Sequence, residues 1–208
     1  MVERMNGRMR LVQREGNLPL MKIRKGDARV LDTANDDSGH QAFEESFEQY
    51  WASIYGLLRR MLGDPAEAED LALETFYRLF QQHPKPGQEF NSGGWLYRVA
   101  TNLGLHSIRA FKRREQYEMT AGKGIIEEAP EDRPAEILAS EEQRRMARKV
   151  LAEMNSRQSQ LLVMRYSGLT YKDIAAALNL SPASIGPLLV RAETEFEKRY
   201  RALAQEEL

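Results

Sequence analysis

The segment 170–192 has the residue pattern of a helix-turn-helix, and this pattern constrains the chain more than any other feature. Ile174 and Leu178 are four residues apart, so both side chains lie on one face of a first helix. Ala175 is small, as it must be where a second helix crosses closely. Asparagine accepts the left-handed backbone conformation of a tight turn, so the spacing predicts that the first helix ends at about Asn179.

A second helix follows this turn. Ser181 is a suitable N-cap, and Pro182 stands at the first helical position, where its missing N–H costs nothing. Ile185 and Leu188 then point back at the first helix. Such a unit places its second helix in the major groove of duplex DNA. An ordinary helical hairpin inside a core is the alternative.

The composition excludes several classes of protein. The 208 residues suit one or two domains, and a hydrophobic content of 42% is enough for globular cores. The chain has no cysteine, so it has neither a disulfide framework nor a thiolate metal site. No apolar run approaches the ~18 residues of a membrane span, and the N-terminus lacks the apolar stretch of a signal peptide. We therefore expect a cytoplasmic protein without membrane insertion.

The net charge of −1 hides an uneven distribution. Residues 1–30 contain eight basic residues against three acidic ones, with glycine and proline interruptions. We expect residues 1–40 to form a disordered basic extension, with a partner-binding segment or an upstream start site as alternatives. Residues 115–142 contain nine acidic residues against two basic ones. They predict a flexible acidic linker over 116–135, or a helical connection from Ala135 onward for its last part.

Upstream of the linker, the apolar residues follow the three-to-four spacing of helices from about residue 41. One helix ends just before Asp64, which caps a second helix whose first residue is Pro65. The sequence His-Pro-Lys-Pro-Gly over 83–87 ends that helix. A third helix begins near Ser92 and ends in a basic run.

Downstream of the linker, we expect helices over 136–154 and 156–167, the second ended by Gly168. The helix-turn-helix follows, and its last helix continues to about Tyr200. The chain has no internal repeat, and no alternating strand pattern exceeds chance. The sequence therefore predicts an all-α protein of two small helical domains, with strand content near zero.

Three further segments carry a resemblance to a known family. Their sequences are Ala-Glu-Ala-Glu-Asp-Leu-Ala-Leu-Glu-Thr-Phe-Tyr-Arg-Leu-Phe over 66–80, Trp-Leu-Tyr-Arg-Val-Ala-Thr-Asn-Leu over 95–103, and Leu-Ala-Glu-Met-Asn-Ser-Arg-Gln over 151–158. In this order, across an acidic linker and ahead of a helix-turn-helix, they resemble the extracytoplasmic-function (ECF) subfamily of sigma-70-type RNA polymerase sigma factors. The resemblance implies sigma region 2 over 41–115 and sigma region 4 over 136–203.

The resemblance also implies what each region binds. Region 2 of that family binds the polymerase clamp helices and opens the minus-ten promoter element. Region 4 binds the polymerase flap and reads the minus-thirty-five element as duplex. The implied partners are core RNA polymerase, promoter DNA and an anti-sigma protein that holds the sigma factor inactive. No cofactor is implied.

A polymerase-binding stripe is expected on the second helix. Asp70 and Glu74 are four residues apart, so both carboxylates lie on one exposed face, with Phe76 close by in sequence. An exposed acidic and aromatic stripe suits docking on a basic helical coiled coil, and the resemblance implies this use for the matching positions. The alternative is a solvated face with the phenylalanines, Phe80 among them, in the core.

The basic end of the third helix is expected to bind DNA. The candidate residues of this minus-ten module are Arg98, Asn102, Arg109, Lys112, Arg113 and Arg114. Such a cluster neutralises phosphates and makes binding salt-dependent, whereas a favourable helix dipole explains only one or two of the cations. The family's flipped minus-ten base implies base reading by Asn102, with a backbone cap as the alternative. Trp95 and Tyr97 either stack on unpaired bases or pack in the core.

In the helix-turn-helix, the expected DNA contacts are Thr170, Tyr171, Lys172, Ser181, Ala183, Ser184 and Arg191. Thr170 with Asp173 also predicts a capping box for the first helix. The family commonly presents basic residues in the first half of the second helix, whereas this chain has none there before Arg191. Pro187 removes one backbone bond and can kink the helix. Recognition of DNA shape and backbone is therefore an open alternative to base reading.

The sequence favours a promoter-specificity subunit of RNA polymerase, and two other classes of function are the alternatives. A polymerase-independent helix-turn-helix regulator, dimeric on DNA, would leave the acidic stripe without a role. An enzyme is the third class, and we do not expect one because the sequence carries no catalytic signature. His40, His83 and His106 all lack the glutamate three residues before them that di-iron bundles use, and no phosphate loop is present. We expect no catalytic residue and no metal site.

Overall fold

The computed structural model describes residues 4–5, 8–9, 33–82, 90–120 and 135–206. The helices are α1 (Thr33–Leu62), α2 (Pro65–Gln82), α3 (Ser92–Thr120), α4 (Ala135–Glu153), α5 (Ser156–Tyr166), α6 (Tyr171–Leu178) and α7 (Pro182–Glu206). Two short strands, β1 (Arg4–Met5) and β2 (Arg8–Met9), pair antiparallel with Arg4 opposite Met9. These are the only strands in the described ranges, which confirms the all-α fold class.

The helix boundaries differ from the sequence prediction at two places. Helix α1 begins at Thr33, inside the predicted disordered extension, because its first turns are polar and carry no apolar period to detect. Helix α3 continues to Thr120, five residues into the predicted linker. Helix α4 begins at Ala135, where the alternative prediction placed it. The rest of the linker, 121–134, and residues 10–32 lie outside the described residues.

The first module is a bundle of α1, α2 and α3 around one core. Asp64 caps α2 as predicted, its carboxylate accepting from the N–H groups of Ala66 at 2.7 Å and Glu67 at 3.0 Å. The buried core residues of the three helices are Ile54, Leu57, Leu58, Met61, Ala68, Ala72, Phe76, Leu79, Leu96, Ala100, Leu105 and Ile108. Gly104 allows α3 to approach α1 closely, since a Cβ there would lie 2.7 Å from the terminal methyl of Met61.

The second module consists of α4 to α7 and contains the helix-turn-helix as α6 and α7. Its buried residues are Val150, Met154, Leu161, Leu162, Met164, Leu169, Ile174, Ala175, Ala177, Leu178, Ile185, Leu189 and Ala192. Asn179 has a φ of 54°, so the predicted left-handed turn is confirmed. Helix α7 continues through Pro187 without interruption. Ile174 of α6 and Ile185 of α7 are both fully buried in this core, as the helix-turn-helix pattern predicts.

The two modules pack against each other within one compact unit, Thr33–Leu208. Helix α3 contacts α4, α5 and α6, and we call this contact region the α3 seam. Val163 of α5 belongs to the core of the first module, and Tyr97 and Leu151 pack against both cores. The sequence predicts two modules joined by a linker, and it does not predict the direct contact that the structure shows between them.

No single helix in the described part of the chain combines the length and apolar character needed to cross a bilayer. In the same part of the chain, α6 and α7 have the required length and apolar character only when they are taken together, and they are bent by 93° relative to each other.

Candidate polymerase and nucleic-acid interfaces

The exposed face of α2 carries both predicted carboxylates but not the predicted phenylalanine. Asp70 is exposed, and Glu74 accepts a hydrogen bond from Arg78 Nε at 2.8 Å. Phe76 is only 2% exposed, so its prediction as part of an exposed stripe is wrong. Six residues on a helix turn through about 600°, which places Phe76 about 120° away from Asp70 and on the core side.

The apolar side chains that α2 does expose were missed by the sequence analysis. Leu73 is 48% and Tyr77 is 55% exposed, and their positions three and seven residues after Asp70 place them beside the carboxylates. That spacing was the signal that could have identified them. Phe80 is at the edge of this face, where its ring lies 5.4 Å from that of Phe43. We call Asp70, Leu73, Glu74 and Tyr77 the α2 face.

On α3, three of the predicted DNA-binding residues contact the second module. The side chain of Asn102 accepts a hydrogen bond from Gln160 of α5. Arg109 donates to two carbonyl oxygens at the end of α4, of Ala152 at 3.2 Å and of Met154 at 3.4 Å. These carbonyls lack helical partners, and the negative end of the helix dipole favours a cation there.

Lys112 completes this set by an ion pair with Glu153. The remaining cations of the predicted cluster have no hydrogen bond or ion pair to any described residue. Arg113 and Arg114 are exposed, and Arg98 is half-buried. The structure therefore divides the cluster into members that contact the second module and members that make no such contact.

The two aromatic residues at the start of α3 pack inside the protein. Trp95 is half-buried, with its ring 6.2 Å from that of Phe90. The ring of Tyr97 lies edge-on to Tyr50 at 6.4 Å. The sequence leaves open whether these side chains stack on unpaired bases or pack in the core. In this structure both pack against other aromatic residues.

The first helix of the helix-turn-helix has the predicted N-terminus. The N–H of Asp173 donates to Thr170 Oγ1 at 3.2 Å, and the N–H of Thr170 donates to the Asp173 carboxylate at 3.2 Å, which is a capping box. Lys172 is exposed. Tyr171 is also exposed, and the guanidinium of Arg165 lies 5.4 Å from its ring centroid. Arg165 was not among the predicted residues, and it brings a cation to this surface.

The first half of the second helix, up to Arg191, presents a surface with few charges. Ser181, Ala183 and Arg191 are exposed, and Ser184 is half-buried with its hydroxyl 3.3 Å from that of Ser181. Val190 is exposed on the same helix and was missed by the sequence analysis. The chemistry available at this surface is therefore hydroxyl, methyl and a single guanidinium.

Replacing Thr170 by alanine is expected to lower the free energy of unfolding by about 1 kcal/mol, because one donor at the start of α6 loses its partner. Urea unfolding followed by circular dichroism measures this change. Thr170→Ser keeps the hydroxyl and should retain most of the stability. An equal loss in both variants would show that the capping box does not stabilise α6.

In the described ranges, no three histidine, aspartate or glutamate side chains are placed to hold a metal ion. Burial lowers the pKa of Arg148, and the positive charges of Arg144 and Arg145 lower it further. Burial raises the pKa of Tyr166, and Glu193 raises it further.

Comparison with protein families gives two matches in the expected order. The family model for Sigma-70 region 2 matches residues 47–115. The family model for Sigma-70, region 4 matches residues 144–195. The first match covers most of the bundle of α1 to α3, from residue 47 onward, and the second covers most of the module that contains the helix-turn-helix.

Among curated proteins, the ECF RNA polymerase sigma factor SigE of Mycolicibacterium smegmatis is 28% identical over 75% of this chain and 60% of its own length. The ECF RNA polymerase sigma factor SigW of Bacillus subtilis is 25% identical over 88% of this chain and 96% of its own length.

Among solved structures, CnrH in complex with the cytosolic domain of CnrY is similar with a TM-score of 0.48. It is 16% identical, over 82% of this chain and 94% of that one. The two family matches and the curated relatives agree with each other. The chain belongs to the ECF subfamily of sigma-70-type sigma factors, and it is an RNA polymerase subunit that directs promoter recognition and transcription initiation.

Proposed function

We propose that this sigma factor binds core RNA polymerase through the α2 face, minus-ten DNA through α3, and minus-thirty-five DNA through the helix-turn-helix. The observation that supports this division most strongly is the match of the two sigma regions to two separate helical modules. The domain boundaries we propose are region 2 over 33–120, a linker over 121–134 and region 4 over 135–206, with the limits set by the ends of helices α1, α3, α4 and α7. Residues 1–32 precede them.

The α2 face is suited to a basic protein partner. Asp70 and Glu74 provide negative charge, and Leu73 and Tyr77 provide apolar surface beside it. A charged rim around an exposed aromatic side chain is the composition of an interface hot spot. Phe76 has no direct part in this contact, because it is buried in the bundle. Its proposed role is to hold α2 in place.

The α3 surface is suited to DNA phosphates and to one unpaired base. The proposed contacts are Arg98, Asn102, Arg109, Lys112, Arg113 and Arg114. Because five of these six are cations, binding should weaken steeply as salt concentration rises. Asn102 carries both a donor and an acceptor, which suits the reading of a flipped base.

The helix-turn-helix is suited to a duplex major groove. Thr170, Tyr171 and Lys172 at the start of α6 are proposed to contact backbone phosphates, together with the nearby Arg165. The proposed groove contacts are Ser181, Ala183, Ser184 and Arg191. With a single guanidinium on this surface, the hydroxyls and the alanine methyl must supply the remaining base contacts.

Sigma factors are not enzymes, and we propose that this chain has no catalytic activity of its own. We also propose a cytoplasmic location, which follows from the location of the polymerase that it serves. Family membership supports an anti-sigma protein as a further partner. The polymerase supplies the reaction chemistry, and the sigma factor supplies the position at which it starts.

In vitro transcription with runoff mapping tests the proposal. Purified chain is added to core RNA polymerase of the source bacterium with fragmented genomic DNA as template. We expect discrete start sites that are absent with core polymerase alone, because the sigma factor supplies promoter recognition. Operator binding by the chain alone, without any new start site on addition of polymerase, would instead identify an independent regulator.

A further inference from the structure

A cavity of about 540 Å³ is lined by helices of both modules. The end of α1 contributes Arg60 and Met61, and α4, α5 and α7 contribute the rest of the lining. Among the described residues that line it, none is a proposed polymerase or DNA contact. Cavities of this volume are of the size that proteins use to bind small molecules. The cavity therefore calls for an occupant that the proposed function does not supply.

The inner wall of the cavity is apolar. Met61, Leu162 and Val163 are part of the lining and are all less than a tenth exposed. The half-buried side chains of Leu151 and Phe196 extend this wall. Removing an alkyl chain or an aromatic ring from water against such a surface is favourable. The wall therefore suits a ligand with an apolar body.

The guanidinium groups of Arg60, Arg144 and Arg148 line the same cavity. None of them has a hydrogen bond or an ion pair to another residue in the described part of the chain. Arg144 and Arg148 are four residues apart on α4, so their side chains are neighbours on one face of the helix. Like charges at this spacing repel each other, and an anion between them would remove the repulsion.

Arg148 is the least exposed of these arginines, since it is half-buried whereas Arg60 and Arg144 are exposed. Its guanidinium lies against the turn between α1 and α2, where a Cβ on Gly63 would be 3.1 Å from a terminal nitrogen. Burial and the charges of Arg144 and Arg145 lower the pKa of Arg148, and no carboxylate in the described ranges opposes that shift. A cation without compensation in a cleft is typical of a ligand-binding position.

The carboxylates of Glu193 and Glu197 also line the cavity, but each has another partner. Glu193 accepts a hydrogen bond from the Tyr166 hydroxyl at 3.3 Å, and Glu197 forms an ion pair with Arg201. Both glutamates are on α7, whereas the guanidinium groups are on α1 and α4. The cavity thus combines a cationic side with an apolar inner wall.

We propose that this cavity binds a small amphipathic anion, with its charged head on the three guanidinium groups and its apolar body against the inner wall. The inference is independent of the proposed polymerase and DNA contacts. Guanidinium groups bind carboxylate and phosphate oxygens in the same forked geometry, so the head is a carboxylate or a related oxyanion. Because the lining comes from both modules, a bound anion contacts region 2 and region 4 together and stabilises the folded chain.

Titration calorimetry of the full chain with decanoate tests this site. We expect saturable binding of one decanoate per chain, about tenfold or more tighter than binding of 1-decanol, because the alcohol offers no charge to the guanidinium groups. Binding should weaken as salt concentration rises. Acetate, which has the head without the body, should give no measurable heat. Absence of saturable decanoate binding, or equal binding of 1-decanol, would overturn the proposal.

Arg148→Met removes the charge and keeps an apolar side chain, so decanoate should bind about tenfold less tightly. Arg145→Met is the matched control, because Arg145 is on the same helix, lies outside the lining and contacts Glu115 and Glu142. This control should bind decanoate within about twofold of the parent chain. An equal loss in the two variants would overturn the assignment of the head group to the cavity.

Thermal unfolding without decanoate separates a binding role of Arg148 from a structural one. The unfolding midpoint of Arg148→Met should equal or exceed that of the parent chain, because a half-buried charge without an anion is removed. A lower midpoint with undiminished decanoate binding would contradict the proposal. Ala147→Phe fills the cavity without removing a charge and should abolish binding, which keeps the test decisive if Arg148→Met does not fold.

A lipid surface is a second source of the same anionic head group. Because the cavity lies among four helices, we expect a free monomer as its ligand and no co-sedimentation of the chain with phosphatidylglycerol vesicles. Sedimentation that Arg148→Met abolishes, without any decanoate binding, would assign the arginines to a membrane surface and overturn the proposal. Transcription in the absence of decanoate still tests the proposed function, so either conclusion can fail alone.

Discussion

Replacing Phe76 by alanine is expected to lower the free energy of unfolding of region 2 by about 3–5 kcal/mol. The ring is 2% exposed and lies 4.9 Å from Phe47 and 5.8 Å from Trp51, measured between ring centroids. Its loss leaves a cavity among aromatic side chains that cannot collapse to fill it. Urea unfolding of the full chain, followed by tryptophan fluorescence, measures the change, since Trp51 is in the affected cluster.

Tyr77→Ala on the neighbouring position is the matched control. Its side chain is 55% exposed, so stability should change by less than about 0.5–1 kcal/mol. Polymerase binding should weaken instead, because the exposed ring belongs to the α2 face. The reverse pattern, with a stable Phe76→Ala and an unstable Tyr77→Ala, would show that α2 is rotated about its axis, with Tyr77 and not Phe76 facing the core.

The double substitution Asp70→Lys with Glu74→Lys is expected to weaken binding to core polymerase by about 10- to 100-fold. The α2 face would then present like charge to a basic partner, which costs several kcal/mol in a close interface. Fluorescence anisotropy of labelled sigma factor with core polymerase measures the affinity at a fixed salt concentration. Transcription at limiting sigma factor should fall in parallel.

Glu44→Lys with Glu48→Lys on α1 is a control of equal charge change and equal spacing. Both glutamates are exposed and lie outside the α2 face. Their replacement should leave affinity within about threefold of the parent chain, since exposed charges away from an interface contribute little. An equal loss in the two double variants would mean that net charge, rather than the α2 face, determines polymerase binding.

Most of the secondary structure could be predicted because the signals are local. Asp64 and Pro65 at the start of α2, the capping box of Thr170, and Asn179 in the turn are each specified within a few residues. Apolar periodicity identified the two cores for the same reason. Where periodicity is absent, as in the polar first turns of α1, the predicted helix start lies too late in the sequence.

The candidate site was predicted less completely, because it depends on rotation about helix axes and on contacts between distant segments. The spacing of Asp70 and Glu74 predicts that they share one face of α2. The burial of Phe76 depends on how α2 is rotated in the bundle, which the spacing does not specify. The pairing of Asn102 with Gln160 joins residues 58 positions apart, and no local pattern encodes it. The α3 seam could therefore be found only in three dimensions.

Hydroxyl-radical footprinting on a mapped promoter tests the central claim most directly, with the chain alone and with core polymerase compared at the same concentration. We expect two protected patches, near the minus-ten and minus-thirty-five positions, only when polymerase is present. Each patch should depend on its own module, so that Arg113→Ala with Arg114→Ala weakens the downstream one. Equal protection by the chain alone would contradict the account, because both modules would then read DNA without the enzyme that holds them apart.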